Sequence, residues 1–335
     1  MHFKTMLTRS RFATILLTLA TLPLCFGTSP AEAQPYPNEQ LGANLGSVNG
    51  RSMAFVDVGI VSDRYKGASK DDVGWPTEDF TWVAFDLRPC CWFGIPSRSS
   101  EDIDDPAAFE PPAAFGDYDF SFKGQADVSG ANSHVTVSDL TYDEATNTTR
   151  GTVTLAKDDD DTDAGDAILT LQFENTRRTP DDPLGSGVTD IHLLRPGFSL
   201  DEDYPTFNPA FIDAIAPFDK LRYMSGWQET NPKASFANGP AFLEWSKRKR
   251  PSDASQKGPS PRGEDRGVAY EYIIELSNET GTDPWINVPV SASDNYLQEL
   301  ANLFARELDP GLTVYVEYGN ELWNPGFQTQ TWNTA

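Results

Sequence analysis

Between Asp117 and Thr176 apolar and polar residues alternate in short runs, YDFSFKG, SHVTVSDLTYD, TTRGTVTLA and DAILTLQFENT, separated by Gly, Asn and Asp. A period of two with frequent turn residues predicts antiparallel strands, each with one apolar face, and hence a β-sandwich. Beyond Asp190 the rhythm changes to strand, helix, strand, helix. Asp190 to Leu194 reads as a short strand. Pro209 to Phe218 (PAFIDAIAPF) reads as a helix introduced by Asn208, with Pro at its first position. Lys220 to Met224 (KLRYM) is the next strand. Ser246 to Arg266, with its KRKR run, is a long polar surface loop.

Tyr270 to Thr280 predicts a helix stopped by Gly281, and Trp285 to Val288 a strand. Ser293 then caps a helix whose Tyr296, Leu297, Leu300, Leu303, Phe304 and Leu308 share a face, ended by Asp309-Pro310-Gly311. Leu312 to Tyr318 (LTVYVEY) closes the series. Strands alternating with amphipathic helices imply βα units and a parallel sheet. No glycine-rich phosphate loop follows any of these strands, which argues against dinucleotide binding. The place of the first strand stays open. Leu41 to Val48 (LGANLGSV) can open the parallel region, making the β-rich part an insertion, or Asp190 to Leu194 opens it and the two regions are in tandem.

The first residues change the picture of where the protein works. Lys4, Arg9 and Arg11 precede an apolar run from Phe12 to Phe26, followed by Ala31-Glu32-Ala33. This reads as a secretory signal peptide over residues 1–33, giving a secreted or periplasmic product. The apolar run is too short for a membrane span, and Leu24 ahead of Cys25 disfavours a lipid anchor. Cleavage takes away three of 26 basic and one of 50 acidic residues, leaving 23 against 49. So acidic a chain makes nucleic acid a poor partner. Cys90 and Cys91 are adjacent and offer no disulfide framework. Only His134 and His192 remain after cleavage, so a multi-histidine metal site is excluded.

The segment VYVEYGNELWN, Val314 to Asn324, carries the clearest chemistry. An apolar strand runs into Gly319, then Asn320-Glu321, an aromatic and a second amide. A Glu at a strand end can protonate a departing glycosidic oxygen. The neighbouring Asn can donate to a sugar 2-hydroxyl, and Trp323 can stack on a pyranose. Asn278-Glu279 is also an Asn-Glu pair, but beside a helix stop it reads as surface. Asp158 to Asp166 (DDDDTDAGD) is oxygen-rich yet lacks the twelve-residue calcium loop, and reads as a solvated hairpin tip. Trp82 and Trp92 fit burial in the sandwich better than a sugar platform.

Residues 267 to 327 resemble a group of secreted bacterial proteins often labelled carbohydrate-binding, whose barrel portion is similar to the clan of retaining glycoside hydrolases containing cellulases and mannanases. The resemblance is specific from about Asn208 onward. It implies that Glu321 is the acid/base, preceded by Asn320 at the end of the fourth barrel strand, and that Arg222 in KLRYM is the supporting Arg of the second strand. Trp227 and Trp245 match aromatic positions of the group. Val290 departs from it, standing where a His is expected after the Pro. The clan's nucleophile, a Glu on the seventh strand, would fall beyond Ala335.

The expected fold is therefore α/β plus all-β: an incomplete (β/α) TIM-type barrel with an N-terminal or inserted antiparallel β-sandwich. The β-rich domain spans 34–189 and the N-terminal part of a truncated barrel spans 190–335. The expected function is retaining hydrolysis of a polysaccharide or oligosaccharide with Glu321 as catalytic residue and Asn320, Arg222, Trp323, Trp227 and Trp245 binding substrate. This fragment alone is expected to be inactive, since Glu317, four residues back on the same strand, lies roughly 13 Å away and cannot be the partner. The alternative is a non-catalytic carbohydrate-binding or surface protein. No metal or cofactor is called for; the partner is a carbohydrate.

Overall fold

Strict alternation gives a strand one face to bury, and two such sheets bury their faces against each other. The structure, a computed structural model, describes residues 41–46, 48, 53–62, 64–86, 115–156, 168–224, 226–229, 242–263 and 266–334. Within them eight strands make the sandwich. One sheet has the order β2-β3-β8-β5, built from β2 (Arg64–Lys66), β3 (Phe80–Asp86), β5 (Gln125–Gly130) and β8 (Ile168–Arg177). The other has the order β6-β7-β4-β9, from β4 (Gly116–Lys123), β6 (Val135–Asp143), β7 (Thr148–Leu155) and β9 (Thr189–Leu194). All their pairings are antiparallel.

Alternate residues of β4 and β8, among them Tyr118, Phe120, Phe122, Leu169, Leu171 and Phe173, meet in one apolar core. Each buried side chain of this size stabilises by about 1.5–3 kcal/mol relative to exposure. Phe80 stacks on Phe173 at 4.5 Å. Trp82 is wholly buried in the same core; Trp92, Cys90, Cys91 and the Asp158 to Asp166 run lie outside the described residues, as do residues 1–40.

A second core lies under a parallel sheet of order β1-β10-β13-β14, made by β1 (Gly42–Asn44), β10 (Lys220–Arg222), β13 (Asp283–Val288) and β14 (Tyr315–Tyr318). Helix α1 (Pro209–Ile215) precedes β10, α2 (Tyr270–Thr280) joins β10 to β13, and α3 (Asp294–Glu307) joins β13 to β14. The ribbon of β11 (Gln228–Glu229) and β12 (Arg266–Gly267) and a terminal helix, α4 (Gln328–Thr334), complete the described elements. Local chemistry explains the helix ends. Asn208 accepts from Ala210 N and Ser293 from Tyr296 N, while Gly281 ends α2 at φ 67°, a left-handed backbone conformation that strains residues with a Cβ. Ile273, Ile274, Leu300 and Leu303 of the helices pack on Leu221, Ile286 and Val288 of the sheet.

Three readings are settled by the fold, two of them by correction. The TIM-type barrel is not found. The parallel strands form an open four-stranded sheet, no sheet among the described residues closes, and four α-helices stand against fourteen strands. The physical reason lies in the face turned away from the helices. Barrel interiors are filled by layers of branched apolar side chains, whereas here the in-register row is Asn44, Arg222, Trp285 and Tyr315. Second, of the two places left open for the first parallel strand, Thr189–Leu194 is not it, since it pairs with β4 as a sandwich edge. Gly42–Asn44 opens it instead, so the sandwich is inserted between β1 and β10. Third, the KRKR loop is not simply solvated. Lys249 is buried and donates to Ser255 O (3.0 Å) and Pro259 O (2.9 Å), and Arg248 stacks over Trp245 and pairs with Glu271.

Among the described residues no helix is long and apolar enough to cross a membrane.

Candidate functional site

Parallel strands in register place side chains of equal depth side by side. Asn44, Arg222 and Trp285 therefore form a row across β1, β10 and β13, and Glu317 follows two residues beyond Tyr315 on β14. Arg222 is the hub. Its Nη1 donates to Asn44 Oδ1 (3.2 Å), its Nε and Nη2 both donate to Glu317 Oε2 (3.0 and 2.8 Å), and its Nη2 also donates to Asn320 Oδ1 (2.9 Å). The guanidinium lies 5.4 Å from the Trp285 ring, whose Nε1 donates to the same Glu317 oxygen at 3.0 Å. An ion pair with converging hydrogen bonds and a cation-π contact holds a planar, partly exposed cluster in one geometry.

At the carboxyl end of β14 the backbone leaves the sheet through a tight turn. Gly319 has φ 68°, and a Cβ there would come within 2.7 Å of Val290 and 2.8 Å of Leu322. Glu321 itself sits at φ 50°, a conformation that costs a non-glycine residue energy and is kept only when its surroundings impose it. Here the constraint comes from Asn324, whose Nδ2 donates to Glu321 Oε2 (2.8 Å) and whose backbone N donates to Glu321 O (2.9 Å).

Behind the turn Asn287 is wholly buried. Its Nδ2 donates to Gly319 O (2.8 Å) and its backbone N donates to Gln228 Oε1 (2.8 Å). Asn287 Oδ1 and the buried Gln228 Nε2 have no partner among the described residues. Open valences on buried amides are costly.

Of the six residues proposed from sequence, Arg222 and Asn320 are in contact and Glu321 follows Asn320 in the chain. Trp323 is 76% exposed, free to present its ring. Trp227 and Trp245 belong elsewhere. Trp227 is wedged among Phe55, Phe207, Phe211 and Tyr223 in the core. Trp245 is packed against Tyr270 and Tyr296 and capped by Arg248 at 4.4 Å. The structure places both in packing contacts away from the Arg222 cluster. Asn278, of the second Asn-Glu pair, ties the end of α3 through Glu307 O and Asp309 N.

Sequence reasoning missed Asn44, Trp285, Asn287, Gln228 and the engagement of Glu317. Their signal was polar or amphipathic residues at strand positions where a buried parallel sheet wants aliphatics. Compared with protein-family models, curated proteins and solved structures, the chain matches none.

Proposed function

We propose that this protein acts on glycans at the carboxyl end of the parallel sheet, as a retaining glycoside hydrolase with Glu321 as proton donor. The observation that carries the reading is the Arg222 hub. It draws Asn320 into a cluster with Trp285 and Glu317, next to a carboxylate held by Asn324 in a strained turn. The cluster supplies what a pyranose needs: planar donors and acceptors for hydroxyls, the exposed ring of Trp323 for stacking, and a carboxyl group beside an amide. The reading rests on these side chains and not on a barrel.

In it Asn320 binds the 2-hydroxyl, Glu321 protonates the leaving oxygen, and Arg222 keeps Asn320 and Glu317 in place. Retention also needs a second carboxyl group about 5 to 5.5 Å from the first. Glu317 already accepts from Arg222 and Trp285, so it is assigned to the scaffold. On this reading the catalytic nucleophile is a carboxylate other than Glu317. That engagement of Glu317 equally favours a second reading, a secreted protein that binds glycan without turnover. Reducing-sugar release from β-glycans by the full-length gene product separates them. Hydrolysis lost in Glu321→Gln supports the enzyme; saturable glycan binding with no hydrolysis supports the binding protein.

A further inference from the structure

The sandwich carries an open cleft of about 570 Å³ where the edge strands β5 and β6 of its two sheets run side by side. This is within the range of small-molecule sites, roughly 300–1,000 Å³. Two β-bulges flank it, and each contains a non-glycine residue in the left-handed conformation. In β8 the register slips so that Asn175 and Thr176 stand opposite the single residue Ala126, with Asn175 at φ 53°. Thr176 turns inward and donates to Asp79 (2.7 Å), while Asn175 turns outward and donates to Asp127 (2.7 Å).

In β6 the slip places Asp139, at φ 55°, and Leu140 opposite Gly151. A Cβ at Gly151 would come within 2.8 Å of both Leu140 and Ser138 O, so glycine is what lets Leu140 lie across the cleft floor. Bulges re-aim side chains, and strained residues persist where the surroundings over-determine them.

The lining is two-sided in its chemistry. Ala126, Val128 and Leu140 make an apolar floor continuous with the sandwich core. The Tyr142 ring stands beside it, fixed by a hydrogen bond from its hydroxyl to Asn147 (3.0 Å). Around the floor lie Gln125, the Asp127–Asn175 pair and the Arg177 guanidinium. One carboxylate and one guanidinium balance, and the chain's net charge of -24 repels polyanions. A ligand matching this surface is neutral, with an apolar face and hydroxyls along its edges. It is also elongated enough to leave through an open side.

We infer that the β5–β6 cleft is a binding site for a neutral pyranose oligosaccharide. The site is separate from Glu321 and does not depend on its chemistry. The test is NMR titration of the Glu321→Gln protein, in which hydrolysis elsewhere does not consume the sugar, with cellotetraose, xylotetraose, mannotetraose and laminaritetraose. At least one sugar should saturably shift the side-chain amide resonances of Gln125 and Asn175. Its affinity should fall at least about tenfold in Arg177→Ala and in Tyr142→Ala, as expected for losing a charged hydrogen bond or a ring contact. Unchanged urea midpoints in both variants show that the sandwich is intact. Three results would overturn the inference: no shift with any of the four sugars, shifts that survive both substitutions, or shifts produced only by an extended Thr-Val peptide. Loss of hydrolysis by Glu321→Gln leaves these shifts untouched, so each reading fails separately.

Discussion

Asp57 ties the 3-10 turn Val58–Val61 to β9, and its three hydrogen bonds allow its contribution to be divided. The side chain is almost wholly buried. Oδ1 accepts from Gly59 N (2.8 Å), capping the 3-10 turn Val58–Val61, and from Leu193 N (2.9 Å) on β9. Oδ2 faces His192 Nδ1 at 2.7 Å. Asp57→Asn keeps an oxygen for both backbone donors and loses only the charged bond to His192, about 1.5–3 kcal/mol. Asp57→Ala also strands two backbone N–H groups, at about 1–3 kcal/mol each, and should cost about 3.5–9 kcal/mol in all.

The two variants should also differ from the parent in pH dependence. The hydrogen bond to Asp57 is the main cause raising the His192 pKa, with burial opposing it. A histidine whose folded pKa is raised binds its proton more tightly in the native state. Its stabilisation is therefore complete below the unfolded value of about 6.5 and is lost as pH rises through the folded value. Urea midpoints measured from pH 5 to 9 should fall for the parent above about pH 6.5, and both variants should lack that fall. Equal destabilisation by Asn and Ala, or a parent that gains stability across this window, would refute the division.

Two further substitutions test the packing. Trp227→Ala empties a site closed by four aromatic rings and should cost about 3–5 kcal/mol; a loss under about 1 kcal/mol by denaturant titration would mean that the ring is a surface platform after all. Lys249→Met removes the ammonium that gathers Ser255 O and Pro259 O. It should destabilise by about 1–3 kcal/mol and open residues 246–263 to limited proteolysis, whereas an unchanged digestion pattern would return that segment to a solvated loop.

How far the fold was legible depended on whether the deciding information was local. The sandwich strands could be read because period-two alternation is imposed residue by residue, as in Tyr118, Phe120 and Phe122. The helices α1 and α3 could be read because Asn208 and Ser293 cap them within three residues. Strand partnership could not. Gly42–Asn44 and Lys220–Arg222 are separated by the whole sandwich, and Thr189–Leu194 looks like any short strand until β4 lies beside it. Closure was equally invisible, since a strand-helix rhythm suits open and closed sheets alike; the warning was that Asn44, Arg222, Trp285 and Glu317 are poor fillers for a barrel interior.

The candidate site divided along the same line. Asn320-Glu321 followed an apolar strand and a Gly, a pattern that chemistry could interpret, whereas Arg222 was pointed to by the resemblance alone. Trp227 and Trp245 carried only a residue type, and a tryptophan packs a core as readily as it stacks on a sugar. The Asp57–His192 link and the paired bulges of the cleft join residues far apart in sequence, so only folding brings them together.

The central claim is that Glu321 donates the proton to a leaving glycosidic oxygen. It is tested most directly by comparing, in the full-length gene product, turnover of unactivated oligosaccharides and of aryl glycosides whose leaving groups need no proton. If Glu321 is the acid, Glu321→Gln lowers kcat/KM for the unactivated substrates by about 10²–10⁴ and leaves the first bond cleavage of activated aryl glycosides, read as a burst of phenolate, nearly intact. Equal loss on both substrate types, or turnover of unactivated glycosides that survives the substitution, would remove Glu321 from the role assigned to it.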